Sequence, residues 1–164
     1  KHLGATVIGT AGSDEKVALA KAHGAAHGIN YNTENFTDRV KEITGGKGVD
    51  VVYDSIGKAT YPASLDCLKP LGLFVTFGNA SGPIASIEPG TLAAKGSLFV
   101  TRPTLFTYTA NRQALVANAN DLFDVVKKGA VKIKVNQTYP LAEAAQSHRD
   151  LESRKTTGST VLLP

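Results

Sequence analysis

Short runs of β-branched and aromatic residues alternate along the chain with segments in which apolar residues recur at helical spacing. The runs predict strands at residues 5–10, 27–31, 49–57, 72–79, 96–103, 131–140 and 159–164. The segments between them predict helices at residues 13–25, 35–48, 59–72, 111–130 and 141–155. Because parallel strands need crossover connections, this alternation predicts an α/β fold with a doubly wound parallel sheet.

Three predicted strands end in small or polar residues: Gly9–Thr10, residues 54–57 and residues 77–79. In a doubly wound sheet, ligands bind beyond the carboxyl ends of the strands. Ordinary turn chemistry explains one such end, but three at the same edge favour a binding site. Residues 79–90 are rich in Gly, Pro and Ser, which predicts a loop beside that site.

A dinucleotide-binding sheet also needs a glycine-rich loop after its first strand, where a helix N-terminus holds the pyrophosphate. Neither G-x-G-x-x-G nor a P-loop motif is present. Residues 1–4 have the pattern of a last helical turn with Gly4 as its stop. We therefore expect the first strand and its loop to lie before residue 1, so that residues 5–10 are the second strand.

The residues after this second strand bear on the choice of dinucleotide. An acid at that point usually binds the ribose 2′-hydroxyl of NAD. Here no acid stands at the immediate strand end, while Ser13 and Lys16 follow, and a hydroxyl and a cation suit a 2′-phosphate. Asp14 and Glu15 argue the other way unless they belong to the first turn of the next helix. This pattern favours NADPH.

Composition narrows the classes of protein. The 164 residues are 42% hydrophobic and 20% charged, as in a globular domain, and no apolar run is long enough for a membrane helix. The net charge of +4 is dispersed, which argues against nucleic-acid binding. The single cysteine, Cys67, predicts a buried structural thiol and a reducing, cytoplasmic location. The single cysteine and the four dispersed histidines do not form a set of zinc ligands, so no metal site is predicted.

The segments SLDCLKPLGLFVTFGNASG, KGSLFVTRP and LESRKTTGSTVLLP carry a family resemblance over nearly the whole chain. It resembles the quinone oxidoreductase family, the zeta-crystallin-like branch of the medium-chain dehydrogenase/reductases. The resemblance implies that Lys16, Tyr31 and Arg154 bind the 2′-phosphate and ribose of NADPH. It also implies that other residues line the ribose and nicotinamide, namely Ser55, Ile56, Gly78 and Asn79.

The resemblance further implies a Rossmann-like fold that is incomplete here. The first strand, the glycine-rich loop and an N-terminal GroES-like catalytic domain would lie outside the chain. Residues 1–135 would be a partial NADP-binding domain, and residues 136–164 a helix and strand returning towards the catalytic domain. The intact enzyme would transfer a hydride from NADPH to a quinone or enone, needing no catalytic residue from this chain. The isolated chain is expected to be inactive, and strand Ser97–Pro103 would form a homodimer edge.

Other classes were compared with this interpretation. A short-chain dehydrogenase would need Tyr-x-x-x-Lys, and none of the five tyrosines has lysine four residues later. A zinc alcohol dehydrogenase stays open, because its ligands could lie upstream. A non-enzymatic NADPH-binding or crystallin-like structural protein also stays open, because the binding residues alone do not distinguish it from an enzyme.

Overall fold

The computed structural model describes residues 1–164, which form two compact units, Lys1–Thr107 and Tyr108–Pro164. The strands of the first unit are β1 (Ile8–Ala11), β2 (His27–Asn30), β3 (Val49–Asp54), β4 (Leu68–Thr76) and β5 (Phe99–Thr101). Its helices are α1 (Asp14–Ala22), α2 (Phe36–Ile43), α3 (Tyr61–Asp66) and α4 (Pro89–Ala94). A single helical turn, α5 (Leu105–Tyr108), ends one residue into the second unit.

All strand pairs in the first unit are parallel. β1 pairs with β2, while β3, β4 and β5 form a second sheet with β4 in the centre. The central place of β4 explains its apolar sequence, since Phe74 and Val75 are 0% and 5% exposed. The prediction of an α/β fold with parallel strands and crossover helices is confirmed.

Two apolar clusters hold this unit together. One packs Leu65, Leu68, Phe74 and Leu98 between α3, β4 and the start of β5. The other contains Ile29, Val40 and Cys67, with partly buried residues of β1, β3 and α2 packed against it. Because its members come from both sheets, this second cluster joins the β1–β2 pair to the three-stranded sheet.

Helices α1 and α2 begin where a side chain satisfies a free amide of the first turn. The Ser13 hydroxyl accepts from the amide of Lys16 at 3.3 Å at the start of α1. The Asn35 side chain accepts from the amides of Thr37 and Asp38 at the start of α2. These caps fix the points at which the chain leaves β1 and β2 for the crossover helices.

The second unit contains helix α6 (Arg112–Lys127), strand β6 (Val135–Pro140), the 3₁₀ turn Leu141–Glu143, helix α7 (Ala144–Glu152) and strand β7 (Ser159–Leu163). Strands β6 and β7 pair in parallel, and α7 forms the crossover connection between them. No helix of the chain is long and apolar enough to cross a membrane.

The structure corrects one predicted boundary. Residues 59–72 were expected to be a helix, but α3 ends at Asp66 and β4 already begins at Leu68. Leu68 pairs with Val49, and the register then shifts while Leu71 takes a positive φ of 64°. Strand β4 thus contains an irregularity at a proline and a glycine that resemble a helix stop in sequence.

Candidate functional site

The loops that follow β3 and β4 are joined directly through their backbones. The amide of Ala80 donates to the carbonyl of Ser55 at 3.2 Å, and the amide of Ser81 donates to the carbonyl of Ile56 at 2.8 Å. In return, the amide of Lys58 donates to the carbonyl of Gly82 at 3.0 Å. Residues 55–58 and 78–82, here called the paired loops, therefore form one rigid rim at the carboxyl edge of the sheet.

Glycine is required in both paired loops because the backbones touch. A Cβ on Gly78 would stand 2.7 Å from the Cα of Ser55, and one on Gly57 would stand 2.5 Å from the carbonyl oxygen of Gly82. Gly57 also has a φ of +87°, which other residues rarely adopt. The two loops therefore pack backbone against backbone, and a side chain at either glycine would push them apart.

Asp54, the last residue of β3, anchors this rim from below. Its carboxylate accepts the amides of Ile56 and Gly57 at 2.8 and 2.9 Å and the hydroxyls of Thr60 and Ser64 at 2.7 and 2.8 Å. Burial alone would raise the pKa of Asp54, but these hydrogen bonds outweigh it and leave the pKa below its ordinary value. Asp54 is thus an ionised structural anchor and not an acid available for chemistry.

A groove of about 360 Å³ opens beside the paired loops, at the carboxyl ends of β4 and β5. Its lining includes Thr76, Asn79, Ile84, Ile87 and Arg102. The apolar wall with one cation at its side can accept a mainly flat, apolar group that carries an oxygen or a negative charge.

A second site element lies at the carboxyl ends of β1 and β2. The amide of Tyr31 donates to the carbonyl of Ala11 at 3.1 Å, and the side-chain amide of Asn32 donates to the carbonyl of Gly12 at 2.7 Å. A Cβ on Gly12 would stand only 2.8 Å from the Tyr31 hydroxyl. Tyr31 is therefore seated against the loop that leads into α1 and Lys16.

The two acids after β1 have partners of their own. The Asp14 carboxylate accepts from the side chain of the buried Asn30 at 2.7 Å. A hydrogen bond from its own backbone amide, and a second from Ser13, lower the pKa of Glu15. Both acids lie in the first turn of α1, where negative charge is favourable. Asp14 and Glu15 therefore meet the condition under which they do not argue against a phosphate near Lys16, namely that they belong to the first turn of the helix.

Arg154 lies in the second unit, on the turn that ends α7. Its φ is +60°, and its amide donates to the carbonyl of Leu151 at 3.0 Å. The amide of Lys155 donates to the carbonyl of Asp150, also at 3.0 Å. This pair of bonds is a Schellman motif in which Arg154 occupies the position that usually belongs to glycine.

The structure brings the predicted residues together in two groups. Ser55, Ile56, Gly78 and Asn79 share the paired loops, while Lys16 and Tyr31 flank the loop between β1 and α1. Sequence reasoning did not identify Gly12 and Asn32. A small residue immediately before a helix cap and an asparagine after a strand were the available signals, but neither reveals a contact between two loops.

No group of three or more His, Cys, Asp or Glu side chains in the chain could hold a metal ion. The single thiol, Cys67, is 3% exposed, and burial raises its pKa. The prediction of a buried thiol is confirmed, and Cys67 is unsuited to act as a ligand or nucleophile.

Parallel strands joined by helices, with polar loops gathered at their carboxyl ends, define a Rossmann-like α/β domain. The chain belongs to the zinc-binding dehydrogenase family, whose profile matches residues 23–162. Although the family name implies zinc, the side chains of this chain do not fit a metal ion.

Relatives agree with the resemblance found in the sequence. A quinone oxidoreductase of Pseudomonas aeruginosa is 52% identical over 164 residues, which are 100% of this chain and 50% of that protein. A 2-haloacrylate reductase of a Burkholderia species is also 52% identical, over 100% of this chain and 50% of that protein. The chain thus spans about half the length of the curated relatives it matches.

Among solved structures, Escherichia coli quinone oxidoreductase complexed with NADPH superposes with a TM-score of 0.95 at 48% identity. The superposition covers 99% of this chain and 51% of that chain. The similarity confirms the predicted family and the Rossmann-like fold of this chain.

Proposed function

We propose that the full product of this gene is an enzyme that reduces quinones or related electron-poor alkenes with NADPH. This chain would supply much of its cofactor-binding half. The observation that carries the proposal is the glycine-lined rim of paired loops, in a chain that is 48% identical to an NADPH-bound quinone oxidoreductase of the same fold. A 2-haloacrylate reductase among the relatives supports alkenes as a second substrate class.

The residues present fit a dinucleotide. The paired loops bring Ser55, Ile56, Gly78 and Asn79 together at the carboxyl ends of β3 and β4, where they would line the nicotinamide and ribose. Lys16, Tyr31 and Arg154 would hold the 2′-phosphate and its ribose, since a cation and a guanidinium form strong charge-assisted hydrogen bonds with phosphate.

NADPH supplies a hydride from its C4 atom, and the acceptor completes its reduction with a proton from water or from a group outside this chain. The part of this chain is to bind and orient, so no catalytic residue is assigned to it. Residues 1–135 would serve as the partial NADP-binding domain, and residues 136–164 would return towards the catalytic domain. A cytoplasmic location agrees with the single buried thiol.

A binding experiment tests the cofactor site. The full gene product is titrated with NADPH and NADH, followed by nucleotide fluorescence, as wild type and as Lys16→Ala and Arg154→Ala. Each variant should raise the Kd for NADPH about tenfold or more and leave the Kd for NADH nearly unchanged, because one charge-assisted hydrogen bond to the phosphate is lost. Lys21→Ala on α1 and Arg112→Ala at the start of α6 are matched controls. Equal losses for both nucleotides would contradict the phosphate assignment.

A turnover assay tests the reaction. The full gene product should reduce 1,4-benzoquinone or a simple enone with NADPH, whereas the 164-residue chain alone should reduce neither. Tight NADPH binding without reduction of either substrate would favour the crystallin-like structural alternative. Failure to bind NADPH would contradict both.

Homodimer formation through the strand Ser97–Pro103 is part of the proposal. β5 pairs with β4 on one side only, and Phe99 on β5 is 59% exposed. An unpaired apolar edge invites pairing with a second copy. Phe99→Lys should therefore shift the sedimentation coefficient of the gene product to that of a monomer, whereas Leu151→Lys should not. A wild-type monomer would contradict this part.

A further inference from the structure

The turn that carries Arg154 is conformationally costly. A left-handed backbone is natural for glycine at the end of a helix but is unfavourable for arginine, whose Cβ crowds the backbone there. Such a conformation persists only where the surroundings fix it, and it often marks a functional position. The contacts around Arg154 show what holds this turn.

Asp150 makes most of them. Its backbone carbonyl accepts from the amide of Lys155 and from the hydroxyl of Ser153, both at 3.0 Å. Its carboxylate accepts from the side chain of Gln146 at 3.1 Å and lies 3.5 Å from the Lys155 ammonium. Asp150 thus touches the residues on both sides of Arg154.

Tyr139 ties this arrangement to the sheet. Its hydroxyl donates to the Asp150 carboxylate at 2.9 Å, and Tyr139 itself is paired with Leu162 in the ladder between β6 and β7. The Asp150 side chain is only 17% exposed, so water competes little for this hydrogen bond. The end of α7 is thereby fixed against the sheet of the second unit.

The chain after Arg154 is fixed to the same strand. The side-chain amide of Asn136 donates to the Thr157 hydroxyl at 3.0 Å, and the amide of Thr157 donates to the Gln137 side chain at 3.5 Å. The Arg154 turn is therefore held to β6 by hydrogen bonds on both sides, through Asp150 before it and Thr157 after it.

We propose that Tyr139 and Asp150 are positioning residues that hold the Arg154 turn in the conformation needed to bind the 2′-phosphate of NADPH. This inference rests on the proposed function, because it takes Arg154 as a phosphate ligand. Tyr139 and Asp150 do not touch the nucleotide themselves; they act through the backbone on which Arg154 is mounted.

The test compares Tyr139→Phe with Tyr108→Phe, which removes a hydroxyl from an exposed ring on α5. In the full gene product, Tyr139→Phe should raise the KM and Kd for NADPH about three- to tenfold, as expected for coupled neighbours. The kcat and the KM for NADH should stay unchanged. Tyr108→Phe should change none of these values. A merely structural role for Tyr139 would weaken both nucleotides alike or lower kcat, and either result would overturn the proposal.

A double-mutant cycle with Arg154→Ala separates the two claims. If Tyr139 acts through Arg154, adding Tyr139→Phe to Arg154→Ala should cost no further NADPH affinity. If Arg154→Ala weakens NADPH binding and Tyr139→Phe does not, the positioning role of Tyr139 is overturned while the phosphate assignment of Arg154 stands. An unchanged preference for NADPH over NADH in Arg154→Ala removes both the phosphate assignment and this inference.

Discussion

The α carbon of Gly78 rests against the backbone of Ser55, so that a side chain on Gly78 would overlap the Ser55 carbonyl group. The contact joins the loops that follow β3 and β4, through two residues that lie 23 positions apart in sequence. It makes the rim of the candidate site a backbone-on-backbone junction, so the rim has little room to adjust.

Gly78→Ala should therefore destabilise the protein by about 2–4 kcal/mol, since backbone atoms must separate to admit the methyl group. Gly90→Ala is the matched control, because a Cβ there meets nothing within 4 Å and the residue lies in helix α4. That change should be neutral or slightly stabilising. Urea unfolding of both variants measures the difference, and equal midpoints would contradict the close contact.

Asp54→Asn should cost about 2–3 kcal/mol at neutral pH, because a buried carboxylate with four hydrogen bonds loses its charge. The pKa of Asp54 is lowered on folding, so its stabilisation is present above the ordinary aspartate pKa and is lost as the pH falls through the folded value. The difference between wild type and variant should shrink in acid.

Asp50→Asn provides the control for that experiment. Asp50 lies on the same strand but pairs with Lys69 at the surface, and a hydrogen bond from Lys69 lowers its pKa. Exposed pairs contribute little to stability. The unfolding midpoints of Asp50→Asn between pH 3 and 7 should therefore barely differ from those of the wild type. A large effect of Asp50→Asn would show that the loss of stability in acid does not come from Asp54.

Gly12→Ala should leave the free energy of unfolding nearly unchanged, because the atom that the new methyl group meets is the hydroxyl at the end of the Tyr31 side chain, which can move. The same change should weaken NADPH binding, because it displaces that hydroxyl. Nucleotide titration measures the loss. In a Tyr31→Phe background the same change should cost less, since the atom at 2.8 Å is gone. An equal cost in both backgrounds would exclude Tyr31 as the cause.

Arg154→Gly and Arg154→Ala should separate stability from binding. Glycine relieves the positive φ, so Arg154→Gly should be more stable than Arg154→Ala by about 1 kcal/mol in thermal unfolding. Both should lose the same NADPH affinity in titration, because both lack the guanidinium. A Gly variant less stable than the Ala variant would mean that the turn is not held as described.

Local signals predicted most of the first unit. The structure confirms the predicted starts of the first two helices near residues 13 and 35, where Ser13 and Asn35 are the caps, because capping depends on residues close in sequence. β4 was misplaced at its start because Pro70 and Gly72 are helix-stop residues as well as bulge residues. Only the partner strand decides between the two.

The gathering of Ser55 and Asn79 in the paired loops was predictable, because both residues follow neighbouring parallel strands. The contact of Gly12 with Tyr31 was not, because it depends on how two loops approach in space. The left-handed turn at Arg154 was hidden for another reason. Arginine has no preference for that conformation, so the sequence offers a charge there but no sign of a strained backbone.

Cys67 is one of the three buried residues of the cluster that joins the two sheets of the first unit. Its thiol is buried and its pKa is raised by burial, so a thiol reagent can modify it only after the cluster of Ile29, Val40 and Cys67 opens. The rate at which a thiol reagent labels Cys67 therefore measures how often this cluster opens. With no other cysteine in the chain, the native sequence contains its own reporter of local unfolding.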